Sequence, residues 1–263
     1  AGSNIAVRDV LTGQVRIESG RVMTEYAWYD WGGSPTDYGL YVENSHVVVS
    51  DTLFTGNGND TADYVIYAAG ASAVVTVMHS TLQGNAGNGL CAAGANVVNV
   101  TGSTFQNNTG DGIYLPAGNT PAFTITHSAI SGNGGKGLRN DSSVQVYARN
   151  NWWGDITGPG GEGPGAGDEI SGPVDFYPWL LTSDLDLNVV AGTYNAGGDI
   201  VTWRSLSWTP PGAVTVTVRV GNIITPDNHW YYWTTFTSSP ADLSGLPPSR
   251  YLEWFILSTT VPS

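Results

Sequence analysis

The chain has 263 residues, enough for a sizeable core in one or two domains, and 35 glycines with 14 prolines break it into short elements. Nine Lys and Arg face 22 Asp and Glu, and this net charge of −13 argues against nucleic acid and anionic membrane surfaces as partners. No run approaches the roughly 18 apolar residues of a membrane span, no stretch has a capped helical period, and Cys91 has no second cysteine to bridge. The expected class is therefore all-β. The absence of a leader pattern fits a cytosolic chain, a mature one or a fragment; the composition suits an extracellular or cell-surface location. Sequons at Asn59, Asn99, Asn107 and Asn140 are no more numerous than chance provides in a chain this rich in Ser and Thr.

The first predicted element is "SNIAVRDV" (3–10), a strand with Ile5, Val7 and Val10 as its apolar residues, placed in a segment 1–14 of its own. "VRIESGRVMTE" (15–25) begins a repeat, and the aromatic excursion "YAWYDWGGSPTDY" (26–38) is expected to pack on its flank or line a groove. Four stretches then align without a gap: "VVVSDTLFTGN" (47–57), "VTVMHSTLQGN" (75–85), "VNVTGSTFQNN" (98–108) and "FTITHSAISGN" (123–133). Each offers an alternating apolar pair, a polar corner, one apolar residue (Phe54, Leu82, Phe105, Ile130) and a closing asparagine. A Gly-Leu or Gly-Ile pair follows at 89–90, 112–113 and 137–138, with Tyr64-Val65 as its counterpart after an enlarged turn. The period, in the low twenties, is too short for a pair of helices and fits a solenoid of short strands.

Coils stacked about 4.8 Å apart bring like residues into columns. Asn57, Asn85, Asn108 and Asn133 then form a ladder in which each amide donates to the next coil's carbonyl, and Thr52, Ser80, Ser103 and Ser128 a hydroxyl ladder. These repeats resemble those of right-handed parallel β-helix proteins of the pectate-lyase-like type, many of them secreted by bacteria. "ARNNWWGDITGP" followed by "GDEISGPVDFYPWL" (167–180) is similar to the segment that closes such helices. Trp152 and Trp153 are accordingly expected to cap the last coil, with sugar stacking as the alternative. The β-helix is placed at 15–181.

From residue 182 the period is lost. "IVTWRSLSWTPP", "VTVTVRVG", "WYYWTTF" and "RYLEWFILSTT" alternate like the strands of a small antiparallel β-sandwich. They resemble jelly-roll-like modules of secreted bacterial proteins, a resemblance that implies one more strand after "STTVPS". Residues 182–263 are therefore assigned to a sandwich that lacks a terminal strand. Ile5, Val7 and Val10 of a neighbouring copy could supply it and build a homopolymer; a cap on the first coil and a truncated chain are the alternatives.

The β-helix resemblance also implies a search for polysaccharide lyase or hydrolase chemistry. The best column is Asp51, His79, Gly102 and His127, which offers one Asp–His neighbour pair but no serine partner, and whose histidines stand two coils apart. Polar corner residues explain it equally. Asp111 and Lys136 share another column and read as a surface ion pair. Asp155, Glu162, Asp168, Glu169 and Asp175 crowd a glycine-rich stretch without a base, which suits Ca²⁺ or a solvated acidic linker; Asp155, Asp168, Glu169 and Asp175 are the candidate ligands. In "HWYYWTTF" (229–236), Trp230, Tyr232 and Trp233 are too many aromatics for one strand face, so part of the strip is expected at the surface, facing glycans or a neighbouring copy.

Overall fold

The computed structural model describes residues 5–8, 15–18, 21–22, 38–58, 60–183, 190–208, 214–224, 230–231 and 234–258. The chain divides into two compact units, Ala1–Leu185 and Asp186–Ser263. In the first unit every complete coil lays one strand on each of three parallel sheets, A, B and C. Coil one is β1 (Ile5–Arg8), β2 (Val15–Glu18) and β3 (Arg21–Val22); coil two is β4 (Tyr38–Glu43), β5 (His46–Ser50) and β6 (Leu53–Thr55). Coil three is β7 (Tyr64–Ala69), β8 (Val74–Met78) and β9 (Thr81–Gln83); coil four is β10 (Asn88–Ala93), β11 (Val97–Thr101) and β12 (Thr104–Gln106). Coil five is β13 (Ile113–Leu115), β14 (Ala122–Thr126) and β15 (Ala129–Ser131). Beyond these, β16 (Leu138–Asn140) and β17 (Val146–Tyr147) extend sheets A and B. After β18 (Pro159–Gly161), β19 (Gly167–Ser171) and β20 (Val174–Asp175) extend them once more, with β18 on the outer edge of β19.

The register follows the repeat. Val98 pairs with Val75 and Phe123, Phe105 with Leu82 and Ile130. Val15 and Ile17 stand opposite Val47 and Val49, and Val22 opposite Phe54, as the template requires. These inward columns are fully buried from coil two onward, and each such side chain contributes about 1.5–3 kcal/mol by leaving water. The enlarged turn is one residue longer than expected, because Leu90 pairs with Ile66 and not with Val65.

Residues 5–8 do not stand outside the solenoid. Ile5 pairs with Leu40 and Val7 with Val42, in parallel, so β1 is the first strand of sheet A and segment 1–14 belongs to the first unit. A coil of this helix begins on sheet A, whereas the aligned stretches begin on sheet B; counting from sheet B leaves the first strand unassigned. Val10 lies outside the described residues.

The second unit carries two antiparallel sheets. Sheet D has the order β21–β26–β23–β24, from β21 (Val190–Asn195), β23 (Val214–Gly221), β24 (Thr234–Phe236) and β26 (Tyr251–Ser258). Among the described residues sheet E has only β22 (Ser205–Leu206) and β25 (Ala241–Asp242). Alternation along β23 and β26 turns Val216, Val218, Val220 and Leu252 toward Ala241, Leu243 and Leu246. Trp203, Leu206, Trp208, Trp254 and Ile256 pack on this core but stay only partly buried.

Candidate functional site

In the solenoid the polar columns are structural. Asn57 Nδ2 donates to Asn85 Oδ1 at 2.8 Å, Asn85 to Asn108 at 2.7 Å and Asn108 to Asn133 at 3.0 Å. Each acceptor also takes the backbone N–H of the asparagine before it. The acceptor in the next coil is thus a side-chain oxygen. The backbone carbonyls these amides reach, those of Phe54, Leu82 and Phe105, lie in the coil before. The hydroxyl ladder works differently: Ser80, Ser103 and Ser128 Oγ accept the N–H of Thr52, Ser80 and Ser103, and the last rung is Asn151 Oδ1, which accepts from Ser128 N.

The Asp51–His79–Gly102–His127 column is a row of left-handed corners. Their φ angles are 49°, 46°, 56° and 49°, and Asn150, at 57°, continues the row. Asp, Asn, His and Gly are the residues that enter this region at least cost, so the corner selects the residue types without any need for acid–base chemistry. Asp111 and Lys136 are not an ion pair. Asp111 Oδ1 accepts from the backbone N of Lys136, whose ammonium reaches Glu169 at 2.6 Å.

The acidic stretch does not converge on a cation. Asp155 accepts from Thr157 N and Oγ1 in a local turn; Asp168 ends the asparagine ladder; Glu169 pairs with Lys136; and Asp175 holds Arg149 at 2.7 Å. Each carboxylate has its own basic or N–H partner, and among the described residues no three His, Cys, Asp or Glu side chains could hold a metal ion. Trp152 stands opposite Ala129, which puts Trp153 at the end of the Phe54–Leu82–Phe105–Ile130 column. Trp153 is fully buried, its Nε1 without an acceptor, and Trp152 is half-buried. Phe176 and Trp179, both buried, lie further along the same end; Trp179 Nε1 donates to Ile156 O, and its ring lies against Gly158.

Two features escape the repeat alignment. On the outer face of sheet A, Tyr38 stacks on Tyr64 and Tyr41 on Tyr67, with centroids 6.3 and 5.7 Å apart. The second column runs on through Cys91 and Tyr114 to Arg139, which lies over the Tyr114 ring at 4.9 Å. Burial pushes the Tyr67 hydroxyl up to about 12 and raises Tyr64 and the Cys91 thiol further, so all three stay protonated and unreactive at neutral pH. The repeated Tyr-x-x-Tyr of "YGLY" and "YVIY" is the sequence signal for this face. Residues 26–37 of the aromatic excursion lie outside the described residues.

The second feature is in the C-terminal unit. Trp230 is buried, not part of a surface strip: its Nε1 donates to Ile223 O, it stacks on Tyr251, and Arg219 lies 5.1 Å from its ring. Gly221 makes room, since a Cβ there would come within 2.3 Å of the indole. Tyr232 and Trp233 lie outside the described residues. Open ground lies beside β22. There a groove of about 540 Å³ is lined by Tyr194, Trp203, Arg204, Leu206 and Trp254, among others. A second hollow of about 140 Å³ lies against Leu206, Trp208, Val216, Trp254 and Ile256.

Parallel coils in register, with polar ladders running between them, define a β-solenoid protein. A family model for the right handed beta helix region matches residues 15–153, more than half of the chain, and the chain belongs to that family. No curated protein and no solved structure matches it. β-Helix domains occur in enzymes and in non-enzymes alike.

Proposed function

We propose that this is a non-catalytic structural protein of the cell surface or extracellular space that assembles head to tail, the N-terminal strand of one copy completing the C-terminal unit of the next. The observation that carries this reading is the half-built sheet E. Among the described residues its two short strands leave a backbone edge and five large apolar side chains incompletely covered, and a strand from another copy is the simplest cover. β1 suits the donor role because it is an edge strand, held on one side only among the described residues. In the single chain it lies on β4, so assembly is an exchange of one ladder for another. A donor and an acceptor at separate places on the same chain generate an open polymer. The enzymatic reading draws less support, since left-handed corners account for the one Asp–His column.

Negative-stain electron microscopy of the purified protein, with and without residues 1–10, tests the proposal. Filaments that disappear on deletion support it; monomers in both samples overturn it.

A glycan-binding role is the second reading, favoured by the part-buried tyrosine stacks of sheet A, an aromatic surface of the kind sugars pack on. Saturable binding that Tyr67→Ala abolishes would establish it.

A further inference from the structure

Resting on the head-to-tail reading, we infer that the seat of the incoming strand is the strip beside β22, and that its occupant is segment 3–10 of a second copy. Three observations meet at this strip. β22 is bonded to β25 on one side, and among the described residues nothing pairs with its other edge, which leaves N–H and C=O groups available for a new ladder. The two hollows adjoin at Leu206 and Trp254, giving the new strand an apolar floor with two depressions. Finally, the indole Nε1 of Trp208 is buried in the smaller hollow without an acceptor.

That orphan donor points to the chemistry of the ligand. A buried N–H without a partner is unfavourable, and an oxygen arriving in the hollow relieves that penalty. An added strand brings backbone carbonyls at a regular spacing, together with the N–H groups that the β22 edge needs.

Segment 3–10 matches the seat in length, pattern and charge. It has eight residues, as many as the run 201–208 that borders the hollows. Its Ile5 and Val7 fall on one face, about 6.7 Å apart, spaced to enter neighbouring depressions. Arg8 and Asp9 cancel, so in a chain of net charge −13 this segment approaches without like-charge repulsion, and Arg204 at the rim offers Asp9 a counter-charge.

The test uses the full-length chain and needs no isolated part. Cysteine is placed at Ala6 in one batch (Ala6→Cys) and at the β22 edge in another (Ser205→Cys or Ser207→Cys), with Thr235→Cys on the far edge of sheet D as control. The batches are mixed and oxidised, while the buried Cys91 stays silent. The seat predicts intermolecular disulfides from residue 6 to 205 or 207 and none to 235. Assembly with cross-links only to 235, or to neither edge, overturns the seat and leaves the head-to-tail reading standing. Protein that remains monomeric throughout overturns that reading and the seat with it. Trp208→Phe removes the orphan N–H together with part of the indole's packing on the core, so urea unfolding first establishes that the variant is folded; in the folded variant the concentration needed for assembly rises roughly tenfold. An unchanged assembly concentration would overturn the role assigned to Trp208.

Discussion

Asn133 Nδ2 donates to Asp168 Oδ2 at 2.8 Å, so the asparagine ladder of the solenoid ends on a carboxylate. The same carboxylate accepts from Asn133 N at 3.1 Å and from Gly132 N at 2.7 Å. A ladder whose amides all point one way leaves a donor at its last rung, and an acid, which only accepts, fits there. Asp168→Ala should destabilise the solenoid by about 2 kcal/mol, and Asp168→Asn by less, since one oxygen remains. Urea unfolding of the two variants checks this; equal losses would mean that the aspartate serves something other than the ladder.

The left-handed corners predict a pattern that a catalytic dyad would not. His79→Asn or His79→Gly should leave stability nearly unchanged, whereas His79→Val, branched at Cβ and held at a φ of 46°, should cost about 1–3 kcal/mol. Thermal melts of the three variants separate the readings.

Asp111 and Lys136 make unequal contributions. Lys136→Gln loses a largely exposed pair with Glu169 and should cost less than about 1 kcal/mol. Asp111→Ala removes the acceptor of the Lys136 N–H and should cost more, about 1–2 kcal/mol. A double variant measured by denaturation should show the two losses to be nearly additive, because the side chains do not share a bond.

Arg219, 2% exposed, donates through Nε to Glu253 at 2.6 Å on the face of sheet D opposite the valine core. Arg219→Ala leaves an unpaired carboxylate only 12% exposed and should cost about 2–4 kcal/mol, whereas Arg219→Met combined with Glu253→Gln should be close to neutral. Chemical denaturation of the single and double variants decides it.

At high pH the tyrosine face should weaken the fold. Burial raises the Tyr67 hydroxyl above its unfolded value of 10 to about 12, so the folded chain holds its proton more firmly than the unfolded one. The resulting stability is whole below pH 10 and drains away as pH rises through about 12. Tyr64, raised for the same reason, adds to the loss in the same direction. Tyr67→Phe should therefore flatten the alkaline fall of the melting temperature, with near-ultraviolet phenolate absorbance as the independent readout.

What could be read in the sequence depended on repetition. The apolar columns and the ladder residues stand out because each coil repeats them, and stacking then follows from strand spacing alone. Asp168 was legible only as an acid in a glycine-rich stretch. It reaches Asn133 across 35 residues and an irregular loop, so no column position marks it as a rung. The carboxylates around it looked like a cation site because sequence gives their density but not their partners. The strand at residues 5–8 was legible but its column was not: one four-residue strand has too little pattern to announce its place in sheet A until the register with Leu40 and Val42 is known.

By itself the sequence determined the all-β class, the solenoid, the columns and the change of architecture near residue 182, since all of these follow from periodicity and local residue preference. The tertiary structure alone decided that the corner histidines are backbone accommodations, that Trp230 is core and that the open strip lies beside β22. Those outcomes depend on which groups meet across sheets that are distant in sequence, and burial and hydrogen-bond partnership arise only once the strands have packed.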